Sequence, residues 1–210
     1  MKVIAINGSP RKGGNCAQLL EVMGEVFTSQ GIEFETIQIG NKSIRGCMAC
    51  YKCVEMLNET CIYKDEVNKI IPLLKEADGI VLASPVYFAG ISGTMKSFLD
   101  RLFLVSSVNG NPFRHKVGGS IVSIRRSGAT ATLDSLNHYL MFSEMWVASG
   151  NYWAAGHGRN PGEVQEDLEG LQATRLLAKN MAWMIKSQKQ TENTLPPPIA
   201  EEKEWTHFIR

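Results

Sequence analysis

KVIAINGSPRKGGNCAQLL, residues 2–20, sets four consecutive apolar residues against a glycine-punctuated loop and then an amphipathic run. A short apolar run closed by a turn reads as a buried strand, here residues 3–6. Leu19, Val22, Met23, Val26 and Phe27 then recur at helical spacing before Gly31. Strand, Gly-rich loop and helix in immediate succession is the opening unit of an open, helix-covered parallel sheet.

The rest of the chain repeats that rhythm. Strands are expected over residues 34–39, 79–83 and 117–124, with a short fifth over 146–149. Helices are expected over 67–77, around Ile91 to Leu102, over 133–145 and over 164–187. The βαβαβαβαβα order needs crossover connections and so places helices on both faces of a parallel sheet. Residues 1–189 form one domain carrying a cysteine-rich insertion at 43–62. Three consecutive prolines mark residues 190–210 as a tail, whose Trp205, Phe208 and Ile209 are anchors for this subunit or a partner.

The chain has 210 residues, 44% hydrophobic, enough for one substantial core. Its net charge of +1 gives no basis for bulk attraction to a polyanion, so nucleic acid is not an expected partner. The first apolar run is too short for a signal peptide or a membrane span, so a cytoplasmic protein without a membrane partner is expected.

Two loops at strand ends carry the first chemistry. In a doubly wound sheet ligands bind at the carboxyl ends of the strands, where a helix N-terminus offers free N–H groups to an anion. In NGSPRKGGN, residues 7–15, Gly8, Gly13 and Gly14 permit close backbone approach, Ser9 supplies a hydroxyl, Arg11 a charged fork, and Asn15 sits where a helix N-cap belongs. Neither the dinucleotide nor the nucleoside-triphosphate fingerprint is met, which leaves a mononucleotide. After the third strand, SPVYFAGISGTMKSFLDR (residues 84–101) places Tyr87 and Phe88 at the sheet edge, suited to a flat heterocycle and equally to a core.

Together these two stretches closely resemble the flavodoxin-like superfamily of NAD(P)H-dependent FMN reductases. The resemblance implies a three-layer α/β/α sandwich with a five-stranded parallel sheet of order 2-1-3-4-5. It further implies FMN phosphate held by Ser9, Arg11, Asn15 and the amide of Cys16, with Gly14 also against the cofactor, and an isoalloxazine resting on Pro85, Val86, Tyr87 and Phe88. A third loop over residues 125–130, with Arg125 and Gly128, would face the flavin. Relatives often have Ser or Thr where this chain has Cys16, a poor hydrogen-bond partner or else a low-pKa thiol at a helix N-terminus. By the same resemblance a homodimer or homotetramer is expected.

Four of the five cysteines fall within GCMACYKCVEMLNETC, residues 46–61, as Cys47, Cys50, Cys53 and Cys61. In a reducing compartment such clusters hold metal or do redox chemistry. A [4Fe-4S] cluster, a zinc or empty thiol site, and a redox dithiol are all compatible with C-x2-C-x2-C-x7-C. Within the superfamily the motif resembles the iron-sulfur flavoproteins, which implies a [4Fe-4S] cluster beside the flavin. His115, His138 and His157 have no ligand-like spacing. The expected function is an FMN-dependent oxidoreductase that takes electrons from NAD(P)H to flavin, a quinone or a protein acceptor, with no side-chain acid or base required. The alternatives are a non-catalytic electron carrier and a dehydrogenase of one small metabolite.

Overall fold

The computed structural model of the chain describes residues 1–206 and 208–209. Five strands build the body of the sheet: β1 (Lys2–Asn7), β2 (Glu33–Gln38), β3 (Gly79–Tyr87), β5 (Val117–Ile124) and a divided last strand made of β6 (Trp146–Val147) and β7 (Ala155–His157). A two-residue β4 (Gly90–Ile91) pairs antiparallel with the end of β3. The parallel order is β2-β1-β3-β5-β6, with β7 also on β5.

Alternation along β1 sorts the core into two layers. Val3 and Ala5 face α1 (Asn15–Ser29) and α6 (Leu168–Thr191), packing with Leu19, Met23, Leu177 and Met181. Ile4 and Ile6 face the opposite side, toward α3 (Glu66–Glu76), α4 (Gly93–Val108) and α5 (Ala129–Phe142). The three-layer α/β/α sandwich expected from the sequence is thus present.

The sheet departs from a plain five strands at its edges. The expected fifth strand at 146–149 is interrupted: β6 pairs at Val117 and Gly118, the chain leaves the sheet, and β7 returns opposite Val122 to Ile124. β3 runs four residues past the expected 79–83 because Val86 and Tyr87 pair back onto Ile91 and Gly90. Periodicity missed this hairpin since its turn is Phe88–Ala89, both at positive φ (50° and 57°), without the Gly or Asn such a turn favours. The expected helix at 164–187 begins instead as a 3-10 turn, Glu163–Glu166, and restarts after Asp167, whose carboxylate accepts from the Gly170 N–H (2.9 Å).

α6 continues through Gln190 to Thr191, past the expected start of the tail. Trp205, Phe208 and Ile209 are exposed rather than packed on this subunit; residues 207 and 210 of the tail lie outside the described residues. Among the described residues no helix is long and apolar enough to cross a membrane.

Candidate functional site

The loop after β1 is held from four sides. Asn7 Oδ1 accepts from the Ser9 N–H (2.9 Å), and Ser9 Oγ accepts from the Arg11 N–H (3.3 Å). The Gly8 N–H donates to the Ala83 carbonyl of β3 (2.8 Å), and Ser92 Oγ, at the start of α4, donates to the Gly8 carbonyl (2.8 Å). Gln38 Nε2 at the end of β2 donates to the Ser9 carbonyl (3.0 Å). Gly40 presses so closely from behind that a Cβ there would lie 2.2 Å from Ser9 backbone. The loop is therefore preset by its surroundings.

α1 begins behind this loop with Gly14 as its N-cap, and no side chain bonds its first turn. Its leading N–H groups are left for an anion. Asn15, expected as the cap, is the first helical residue instead; its Oδ1 accepts from the Gly162 N–H (3.1 Å). Arg11 Nη1 donates to the Arg159 carbonyl (3.0 Å). The segment after β7 thus closes over the loop, a neighbour 147 residues away that no local pattern announces.

Cys16 is 1% exposed, its Sγ 3.0 Å from Ser123 Oγ of β5. Burial pushes its thiol up to about 11, so the alternative of a low-pKa thiolate fails.

Pro85 is buried at the end of β3, Val86 is half-buried, Tyr87 is exposed, and Phe88 is fully exposed at the turn. Gly128, at φ 94°, lies so close to this turn that an added Cβ would meet Ala89 Cα at 2.7 Å. Arg125 and Arg126, on the same loop just before Gly128, are exposed. The loops after β1, β3 and β5 meet at the carboxyl edge of the sheet, as the register Asn7↔Ala83 and Pro85↔Ser123 requires. Placing α1's free N–H groups near an exposed aromatic turn gives a phosphate end and a planar end to one edge, which fits a flavin mononucleotide.

Residues 46–61 lie along α4. A five-residue helix, α2 (Lys52–Met56), sits between Tyr51 and Leu57, both at positive φ (54° and 45°). These reversals curl the segment, so that Cys47, Cys50, Cys53 and Cys61 all line one cavity of about 20 Å³ walled by Met48, Ile62, Leu104 and Val105. Cys47 and Cys50 are exposed, Cys53 is buried, Cys61 is half-buried, and all are free thiols. Burial pushes the Cys53 thiol up. Among the described residues, no three Cys, His, Asp or Glu side chains converge closely enough to hold a metal ion. The expected ligand set is gathered around one cavity but not drawn in to ligating distance. The donor chemistry nevertheless fits a sulfur-bound group: four cysteine sulfurs line the cavity, with Arg101 Nε donating to Cys61 Sγ (3.3 Å) and the Ala49 N–H to Cys47 Sγ (3.5 Å).

The histidines stay apart. His157 Nδ1 lies 3.0 Å from Asp167 Oδ2, whereas His115 lies at the opposite edge of the sheet, before β5, and His138 is on α5. Sequence reasoning missed Gly40, Arg159, Gly162 and Arg101. Only Gly40, a glycine just past a strand, carried a local signal.

The sequence profile described as NADPH-dependent FMN reductase matches residues 1–160. An iron-sulfur flavoprotein of Methanocaldococcus jannaschii is 35% identical over 197 residues, 90% of this chain and 100% of that protein. An iron-sulfur flavoprotein of Methanosarcina thermophila is 32% identical over 183 residues, 86% and 93% of the two chains. A crystal structure of RosB with 8-demethyl-8-formylriboflavin-5'-phosphate superposes with a TM-score of 0.73 at 17% identity, over 100% of this chain and 94% of that one, a likeness of fold.

Proposed function

We propose, from the premise that this chain belongs to the NADPH-dependent FMN reductase family, on its iron-sulfur flavoprotein branch, that it is an FMN-dependent oxidoreductase drawing electrons from NAD(P)H. The observation that carries the reading is the uncapped N-terminus of α1 beside the exposed Tyr87–Phe88 turn at one sheet edge. Bound FMN would supply the chemistry of accepting two electrons and releasing them singly or in pairs. Ser9 and Arg11, with the Gly14, Asn15 and Cys16 backbone, hold its phosphate through hydroxyl, guanidinium and N–H donors. Asn15 Oδ1, accepting from the Gly162 N–H, and Arg11, donating to the Arg159 carbonyl, fasten the segment after β7 beside that phosphate. Pro85 to Phe88, with Arg125 and Gly128, give the ring a wall and exclude water from one face. No side chain need move a proton. The acceptor is a flavin, a quinone or a protein.

A second reading is favoured by the four cysteines around one cavity: Cys47, Cys50, Cys53 and Cys61 hold a [4Fe-4S] cluster, and the protein is an electron carrier. The cluster would supply one-electron transfer toward a protein partner. Stopped-flow mixing of anaerobic flavin-loaded protein with NADPH or NADH separates the readings. Rapid bleaching with turnover on a quinone is the result for the enzyme. Bleaching only when a reduced protein partner is added is the result for the carrier, and no flavin retained at all overturns both.

A further inference from the structure

Arg101 is 1% exposed, and it ranks among the largest fully buried side chains. A buried guanidinium is expensive to strip of water, and a Met or Leu of similar volume is often the more stable choice. Arg101 is nonetheless saturated. Nε donates to Cys61 Sγ (3.3 Å), Nη1 to Asp65 Oδ2 (2.5 Å) and the Arg45 carbonyl (3.2 Å), and Nη2 to Asp65 Oδ1 (2.9 Å) and the Tyr63 carbonyl (3.3 Å). Its Cζ also stands 5.3 Å from the centre of the Tyr63 ring. Every acceptor lies between residues 45 and 65, the cysteine segment and its immediate flanks. One side chain of α4 is the hub on which that segment is wound.

Cys61 is clamped separately through its backbone, its N–H donating to Asn68 Oδ1 (2.8 Å) and its carbonyl accepting from Asn68 Nδ2 (2.8 Å). Backbone and sulfur are therefore held by different elements, α3 and α4. Cys47 and Cys50 have no comparable anchor and are exposed. α4 also starts at the other site: Ser92 bonds Gly8, and Met95 packs where a Gly8 side chain would be. From Ser92 to Arg101 the helix rises about 14 Å, so one rigid rod joins the loop after β1 to the sulfur of Cys61.

We infer that Arg101 is a positioning residue for the four-cysteine site: it holds Cys61 Sγ at the cavity wall as the fixed donor, around which the other three cysteines, buried Cys53 and exposed Cys47 and Cys50, are arranged, and it tunes that sulfur by donating a hydrogen bond to it. The inference rests on the reading in which the cysteines hold an iron-sulfur cluster. Hydrogen bonds to the sulfurs raise a cluster's reduction potential, and partners that orient ligands are typically worth about 10- to 100-fold in metal affinity.

The test is reconstitution of the full chain with iron and sulfide without oxygen, for wild type, Arg101→Gln and Arg101→Lys. Iron retention against a chelator and the reduction potential are measured, with circular dichroism reporting the fold. Arg101→Gln is expected to hold iron about 10- to 100-fold less tightly and to shift the potential negative. Arg101→Lys keeps the charge without the fork and lands between. A purely structural role would lower the unfolding midpoint and leave the potential unmoved, so an unchanged potential and chelator resistance in both variants overturns the inference. Should the Gln variant not fold, the Lys variant carries the same comparison. If wild type takes up neither iron nor sulfide, the cluster reading falls and this inference with it, an outcome distinct from failure in the variants alone.

Discussion

Replacing Gly40 by alanine would strike the candidate phosphate loop from behind. An added Cβ would lie 2.2 Å from the Ser9 carbonyl carbon and oxygen and 2.4 Å from the Gly8 carbonyl oxygen, where ordinary contact begins at 3.4 Å. The two backbones must separate by more than an ångström, and neither is free to do so. Gly8 and Ser9 are tied to Ala83, Ser92 and Gln38, while Gly40 donates to the Asn7 carbonyl (3.2 Å). Backbone displacement of this kind costs about 1–3 kcal/mol. We expect a loss of about 2–3 kcal/mol in urea unfolding of the flavin-free protein, near the upper end because both clashing groups are main chain. FMN binding, followed by quenching of flavin fluorescence, should weaken about tenfold or more as the donors shift off the phosphate. Gly31→Ala, in the turn between α1 and β2 and away from the loop, is the control: nothing lies within 4 Å of its Cβ, and its φ of 71° exacts only about 1–2 kcal/mol of strain, with no effect on FMN affinity. Gly40→Ala protein with wild-type stability and FMN affinity would refute the view that this contact presets the loop.

The Cys16 thiol, raised by burial from an ordinary 9.0 to about 11, stays protonated in the fold after it has ionised in the unfolded chain. Its contribution is complete below pH 9 and is lost as pH rises toward 11, at up to about 1.4 kcal/mol per pH unit; Cys16→Ala should flatten that part of the stability–pH curve, and an unchanged slope would contradict the assignment. Asp65→Asn leaves Arg101 buried without its counter-charge. We expect about 3 kcal/mol of destabilisation, the low end for a broken buried pair because Asp65 is 23% exposed, and a loss under 1 kcal/mol by chemical denaturation would show the pair to be dispensable. Ending the chain after Thr194 removes the exposed Trp205, Phe208 and Ile209. If the tail makes a contact between copies, the mass measured by light scattering falls, whereas an unaltered mass excludes it.

Local pattern was enough for the framework. Apolar runs at 3–6 and 79–83, a small-residue and β-branched run at 117–124 (VGGSIVSI), and helices with a one-sided apolar face leave a covered parallel sheet as the arrangement that buries them, and strand-end loops then become binding loops by topology. The cysteine spacing was equally legible, since ligand type and interval sit within sixteen residues. Legibility failed where contacts are distant in sequence. The Phe88–Ala89 turn takes positive φ without glycine because β3 and β4 hold it, and Asn15 serves Gly162 rather than its own helix because β7 brings that segment back. Cys16 could be read as activated or inert until Ser123 and the core were seen to bury it. The sequence alone therefore determined the sheet, the loops and the set of thiols. The tertiary structure decided which backbone holds those loops still, which thiol is silenced, and that a buried arginine on α4 anchors Cys61, because burial and long-range hydrogen bonds arise only once distant segments share a surface.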